Sequence, residues 1–169
     1  MLSDNLLAEL NKQINLEFFS AQMYLAMGAY CKAENLDGFA NFFIVQAEEE
    51  RFHAMKIFNF INTMGKRATI TGFESPRNEF KSILETFEAG YNHEQFVTRR
   101  FYDLMDIAIA EREHATIGFL KWFIDEQVEE EDLFDSLIQK LKRIDTDSNA
   151  FFMLDNELLT RVFTPPANE

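Results

Sequence analysis

The chain has 169 residues, 16 basic and 29 acidic, giving a formal net charge of −13 and a pI near 4.6. That length suits one domain, 1–169, with a real core. The acidity argues against nucleic acid or an anionic membrane surface as partner, since both need basic patches, and it suits a protein that attracts cations. An apolar content of 47% with 19 Phe excludes a disordered acidic tail. Six Gly and three Pro leave few breakers and favour long helices over short strands. The single Cys31 excludes a disulfide scaffold and points to a reducing compartment. The N-terminus lacks the basic start and apolar run of a signal peptide. No stretch approaches the roughly 18–20 apolar residues that cross a bilayer, so the expectation is a cytoplasmic, all-α protein.

Apolar or small residues recur in steps of three and four at Leu10, Ile14, Ala21, Tyr24, Gly28 and Cys31. They mark one face of a first helix from about Asn5 to Ala33. Asn35 can end it and Asp37 can cap the next, which makes the first two helices antiparallel neighbours. The second helix, about Gly38 to Met64, carries Phe39, Phe43, Ile57, Phe60 and Met64, and Gly65 stops it. Lys66 to Phe80 has no helical period. A segment that long can travel the length of a bundle and join two parallel helices. Ser82 and Glu85 form a capping-box pattern opening a third helix with Ile83, Phe87, Gly90, Val97, Phe101, Leu104 and Ala108. A fourth helix carries Leu120, Phe123, Phe134, Leu137 and Leu141. Asp147 or Ser148 caps a short fifth with Phe151, Phe152, Leu154, Leu158 and Leu159, and Pro165-Pro166 cannot continue it.

Each stripe is interrupted by polar residues. Glu17 fills the gap in the first helix, Gln46, Glu50 and His53 in the second, Glu94 in the third, and Gln127 and Glu130 in the fourth. An offset of 77 residues relates Glu17 to Glu94, Glu50 to Gln127 and His53 to Glu130, so the two helix pairs set polar groups at matching heights. Four carboxylates facing one another in a core cost several kcal/mol each unless they are protonated, paired or bound to metal. The stripes supply no Arg or Lys at this level. A Glu from each of two helices with Glu-x-x-His on the others is the general pattern by which four-helix bundles hold two metal ions. Oxygen-rich ligands with one imidazole suit iron or manganese better than structural zinc.

A second acidic set, Glu48, Glu49, Glu126 and Glu129 with Asp125 and Glu131 nearby, lies one residue away from the first. One residue turns a helix by about 100°, so Glu49 and Glu126 point off the stripe toward one shared side. Spacing alone leaves open whether they are a solvated charge run or an auxiliary cation site. Tyr24, two turns after Glu17, is either core packing or a group that bonds a metal ligand or donates an electron. His93 and His114 lie off the stripes, as surface or helix-end residues do. No phosphate loop, Ser-His-Asp set or Cys pair is present.

From Leu6 to about Leu159 the chain resembles the ferritins, most closely the non-haem bacterial ones. The resemblance rests on Glu48-Glu49-Glu50-Arg51-Phe52-His53-Ala54, on His93-Glu94, on His114-Ala115-Thr116 followed by Phe119-Leu120-Lys121-Trp122-Phe123, and on Glu126-Gln127-Val128-Glu129-Glu130-Glu131. It implies a four-helix bundle with one long crossover and a short fifth helix, assembled as a hollow shell of 24 subunits with the fifth helix near the four-fold axes. It implies that Glu17, Glu50 and His53 hold a first iron and that Glu50 bridges to a second held by Glu94, with Glu130 and Gln127 close by. Glu49, Glu126 and Glu129 match a third iron site on the path to the cavity, and Tyr24 matches the tyrosine beside the ferroxidase centre. Where bacterioferritins repeat Glu-x-x-His, this chain has Gln127-x-x-Glu130; where they have a haem-ligating Met, it has Arg51. Haem is therefore not expected, and the second iron is expected to bind weakly.

The resulting expectation is an iron store with ferroxidase activity that oxidises Fe²⁺ with O₂ or H₂O₂. A di-iron peroxidase or oxygenase that stores no iron is the enzymatic alternative. A bundle that only binds a partner protein is the third, and it leaves the four core Glu unexplained.

Overall fold

A computed structural model describes residues 2–166. Five helices follow in order: α1 (Asp4–Ala33), α2 (Asp37–Thr63), α3 (Ile83–Ala110), α4 (His114–Leu141) and α5 (Asn149–Leu158), and there is no strand among the described residues. The first four form the bundle. Its apolar interior is in two pieces. At one end Met27, Phe39, Phe43, Phe87 and Phe134 pack with α5. At the other, Leu10, Ile14, Ile57, Phe101 and Phe123 pack together. Glu17, Glu50, His53, Glu94, Gln127 and Glu130, all buried, lie between the two clusters along their helices.

Local chemistry sets the helix ends. Ser3 accepts from the Leu6 N–H at 3.0 Å and Ser148 from the Phe151 N–H at 3.3 Å, as N-caps do. Ser82 caps α3 by accepting from the Glu85 N–H at 3.1 Å. The Glu85 carboxylate accepts from the Lys81 N–H instead of the Ser82 N–H, so the capping box closes one residue early. Gly65, at φ +73°, ends α2 in the left-handed region where glycine carries no steric cost. Asn35 takes the same region, at φ 61°, in the turn after α1.

Asp37 does not cap α2. It is the helix's first residue and pairs with Lys32 at 2.5 Å. The cap arrives from elsewhere: the Asp155 carboxylate of α5 accepts from the Phe39 N–H at 2.8 Å. Gly38 makes this approach possible, because a Cβ there would sit 1.5 Å from the Asp155 carbonyl oxygen. A buried carboxylate on α5 was invisible to a stripe that assigned Phe152 and Leu159 to the core. Both of those are about half exposed, at 51% and 46%.

The crossover is pinned along α1 by two asparagines. Asn11 Oδ1 accepts from the Thr69 N–H and Asn15 Oδ1 from the Thr71 N–H, both at 2.7 Å. Further along, Phe73 meets Phe19 and Phe80 meets Tyr30 edge-on. The extended chain thus climbs beside α1 and delivers α3 parallel to α2. The bundle closes tightly at Gly90, where a Cβ would come within 2.4 Å of the Phe134 ring.

Asp155→Ala removes the cap that α5 lends to α2. It should cost about 1 kcal/mol, within the usual range for loss of a helix cap, and lower the Tm without changing helix content by circular dichroism. An unchanged Tm would show that α5 docks through its apolar residues alone.

Candidate metal centre

Glu17, Glu50, His53, Glu94, Gln127 and Glu130 are all buried, each at most 4% exposed. The tightest group is Glu17, Glu50 and His53, which offer one ligand atom each within 4.8 Å of one another. His53 Nδ1 lies 3.4 Å from a Glu50 carboxylate oxygen. Gln13, one turn before Glu17, donates to its Oε1 at 2.8 Å. Glu17 Oε2 and Glu50 Oε1 are buried and have no hydrogen-bond partner. A buried charged oxygen without a donor is costly, and two beside one imidazole are a donor set suited to a divalent cation.

The α3–α4 half differs. Glu94 accepts from the Tyr24 hydroxyl on one oxygen and from Gln127 Nε2 at 3.0 Å on the other. Gln127 Nε2 also lies within reach of the Glu94 carbonyl and the Thr98 hydroxyl, so the amide serves here as a donor. Glu130 Oε2 accepts from Gln46 Nε2 at 2.8 Å. Tyr24 is fully buried and its ring stacks between Phe43 and Phe134. That packing aims the hydroxyl at Glu94.

Burial pushes every carboxyl of this layer upward, and the neighbouring acids add to it. Glu17 and Glu50 rise well above the ordinary 4.5, from burial first and then from each other's side of the cluster: Glu50 acts on Glu17, and Glu94 on Glu50. Glu94 rises to about 7 from burial, held back by the Tyr24 and Gln127 hydrogen bonds. Glu130 rises to about 8, from burial and then from Glu94 and Glu49. Without a cation, protons neutralise the layer.

The second acidic set separates. Glu49, Glu126 and Glu129 line one cavity of about 430 Å³, together with Glu130 and Asp132. Glu48 faces elsewhere, among Phe18, Gln22, Leu25 and Arg51. Glu131 turns toward α3 and accepts from the Thr98 hydroxyl at 2.5 Å. The stripes offered no cation, yet the structure supplies one from beyond α5: Arg161 pairs with Glu49 at 2.7 Å at the edge of this cavity. Its sequence signal was slight, a lone arginine in the tail that precedes Pro165-Pro166.

His93 is partly buried, not a fully exposed surface residue. Its Nε2 lies 2.7 Å from the Ser20 hydroxyl, its ring meets those of Phe19 and Tyr24, and burial lowers it to about 4. It backs the Tyr24 side of the layer. Its position off the helix stripe hid this, because the pocket that covers it is made by α1. His114 is exposed at the start of α4.

These features define a helical bundle with a buried carboxylate–histidine layer and an adjoining acidic cavity. The family model for the ferritin-like domain matches residues 7–144, and the chain belongs to the ferritin family, an iron-storage family. A bacterial non-heme ferritin of Staphylococcus aureus (strain MRSA252) is 54% identical over 163 residues, 96% of this chain and 98% of the relative. Its counterpart in Staphylococcus saprophyticus is 51% identical over the same shares of each chain. Among solved structures, a closed form of the Archaeoglobus fulgidus ferritin made by site-directed mutagenesis superposes with a TM-score of 0.95 at 41% identity, over 97% of this chain and 100% of that one. A humanized archaeal ferritin gives 0.96 at 41% identity, over 98% and 100%. No helix of the described residues is long and apolar enough to cross a membrane.

The raised carboxyls make stability depend on pH. A glutamate at about 7 or 8 in the fold and near 4.5 when unfolded binds more protons folded, so its stabilising effect is complete below 4.5 and is lost as pH rises through the folded value. His93, lowered from 6.5 to about 4, acts oppositely but only below 6.5. Metal-free protein should therefore lose Tm between pH 6.5 and 8.5, and Zn²⁺ should restore it by replacing the protons. A metal-free Tm that rises across that window would contradict the protonated layer.

Proposed function

We propose that this ferritin oxidises Fe²⁺ at the buried layer and passes Fe³⁺ to the cavity of a 24-subunit shell in the cytoplasm. The observation that carries this is the pair of orphaned carboxylate oxygens beside His53. Glu17, Glu50 and His53 would take the first Fe²⁺. Glu50 would bridge to a second at Glu94, with Glu130 and the Gln127 amide completing its surroundings. Two Fe²⁺ each give up one electron. With O₂ as oxidant, the two electrons and two protons give H₂O₂, which leaves; with H₂O₂, the two electrons break its O–O bond and two protons complete the two waters that leave.

The chain's contribution is positioning and charge compensation. Four carboxyls exchange their protons for two divalent ions, so iron entry is also proton release. Tyr24 holds Glu94 in place through its hydroxyl and lies against the reacting centre. Glu49, Glu126 and Glu129 form the next stop, because their cavity opens beside Glu130. They would receive iron as the third site. The absence of a second Glu-x-x-His, replaced by Gln127 and Glu130, suits a labile second ion and therefore transfer to storage over retention as a catalyst.

Glu17→Ala combined with His53→Ala should abolish fast Fe²⁺ oxidation, followed by stopped-flow absorbance of the ferric product. Unchanged kinetics would sink the site assignment. The assembled protein should elute as a shell of roughly 475 kDa, given 19.8 kDa per chain, and retain many irons per subunit after loading. Elution as a monomer or dimer with at most two irons would favour the non-storing peroxidase or oxygenase.

A further inference from the structure

The chain does not leave the bundle after α5. Asn41 Nδ2 donates to the Leu158 and Arg161 carbonyls, both at 2.9 Å, and the Phe163 ring lies 5.6 Å from that of Phe52. Residues 159–163 therefore form a strap along α2. Arg161 is its centre. Its Nη1 donates to the Phe42 carbonyl at 3.1 Å, and its guanidinium lies 4.5 Å over the Phe42 ring. Its Nη2 donates to Glu49 Oε2 at 2.7 Å and also to Gln46 Oε1. With Gln46 Oε1 engaged there, Gln46 Nε2 faces Glu130. The arginine, itself 20% exposed, sits between solvent and an otherwise acidic cavity.

We propose that Arg161 is a tethered counter-cation of the Glu49–Glu126–Glu129 cavity, which competes with incoming iron there and, through Gln46, sets the position of Glu130. The inference rests on the proposed third iron site. An arginine cannot shed its charge, so the competition persists at any physiological pH. A divalent ion outbids one guanidinium among three carboxylates, but it must first break the Glu49 pair. The Phe42 contacts keep the displaced guanidinium nearby, where like-charge repulsion hastens the ion's departure from the acidic cavity toward the interior of the shell. The device lowers occupancy at a waystation and so favours transfer.

Anaerobic Fe²⁺ titration calorimetry of the assembled protein tests this. The wild type should show two tighter ions per subunit and a weaker third. Arg161→Gln should tighten the third by about fivefold or more, the lower end of ordinary coupling between sites, and leave the tightest ion unchanged. Arg161→Lys, which keeps the charge, should stay near the wild type and guards against a folding defect in the neutral variant. An unchanged or weakened third ion in Arg161→Gln would overturn the competition. Glu49→Gln with Glu126→Gln separates the two ideas: it should abolish the third ion whatever Arg161 does. If the wild type and this double variant both bind only two ions, the third-site reading fails, and the competition fails with it.

Discussion

Everything in this bundle is arranged around four carboxyls that have no business in a core. Glu17, Glu50, Glu94 and Glu130 divide the apolar interior into two clusters, one on each side of the layer. Transfer of an ionised carboxylate to such surroundings costs several kcal/mol even after relaxation. The phenylalanine-rich clusters offset that cost and fix the geometry. Tyr24, for example, is held by Phe43 and Phe134, and its hydroxyl meets Glu94. In the absence of a cation the raised carboxyls hold protons. The same layer is thus stable empty and receptive to divalent ions, with proton release linking the two states.

The peripheral elements hold that layer open to one side. The crossover runs outside α1, pinned by Asn11 and Asn15, and leaves the face of α2 and α4 that carries Glu49 and Glu126 uncovered. At the far end, α5 supplies the missing cap of α2 through Asp155, which anchors the helix that carries Glu50 and His53. The strap after α5 then returns to the acidic cavity. Fifth helix and tail therefore act on the site, although neither contributes a residue to the buried layer.

Much of this was legible in the residue pattern. Interruptions in four apolar stripes located Glu17, Glu50, His53, Glu94, Gln127 and Glu130, because a helix of fixed period reports faithfully which side chains share a face. What it could not report is what another element brings to that face. Arg161 and Asp155 act on α2 from more than a hundred residues away in the chain, and His93 is partly covered by α1, which its own helix does not report. Glu48 and Glu49 are adjacent; helix phase set Glu49 on one side with Glu126, and the fold shows Glu49 in the acidic cavity and Glu48 in a different pocket, beside α1. Period fixes phase; long-range partners need the fold.

The two halves that the offset of 77 residues relates are chemically unequal, and the inequality has a direction. Where Glu17 and Glu50 each present an unpartnered oxygen, Glu94 has both oxygens engaged by Tyr24 and Gln127, and Glu130 is engaged by Gln46. A cation entering the first half displaces protons from Glu17 and Glu50 but no donor of another residue from those two oxygens. One entering the second must displace donors already in place, each worth on the order of 1–3 kcal/mol where a charged group is involved. If iron binds as proposed, the first position is therefore the tighter one on hydrogen-bonding grounds alone, before any difference between histidine and glutamine as a ligand is counted. Those displaced donors also return when the ion leaves. Gln127, Tyr24 and Gln46 thus favour release from the second position, on the side that adjoins Glu49, Arg161 and the acidic cavity.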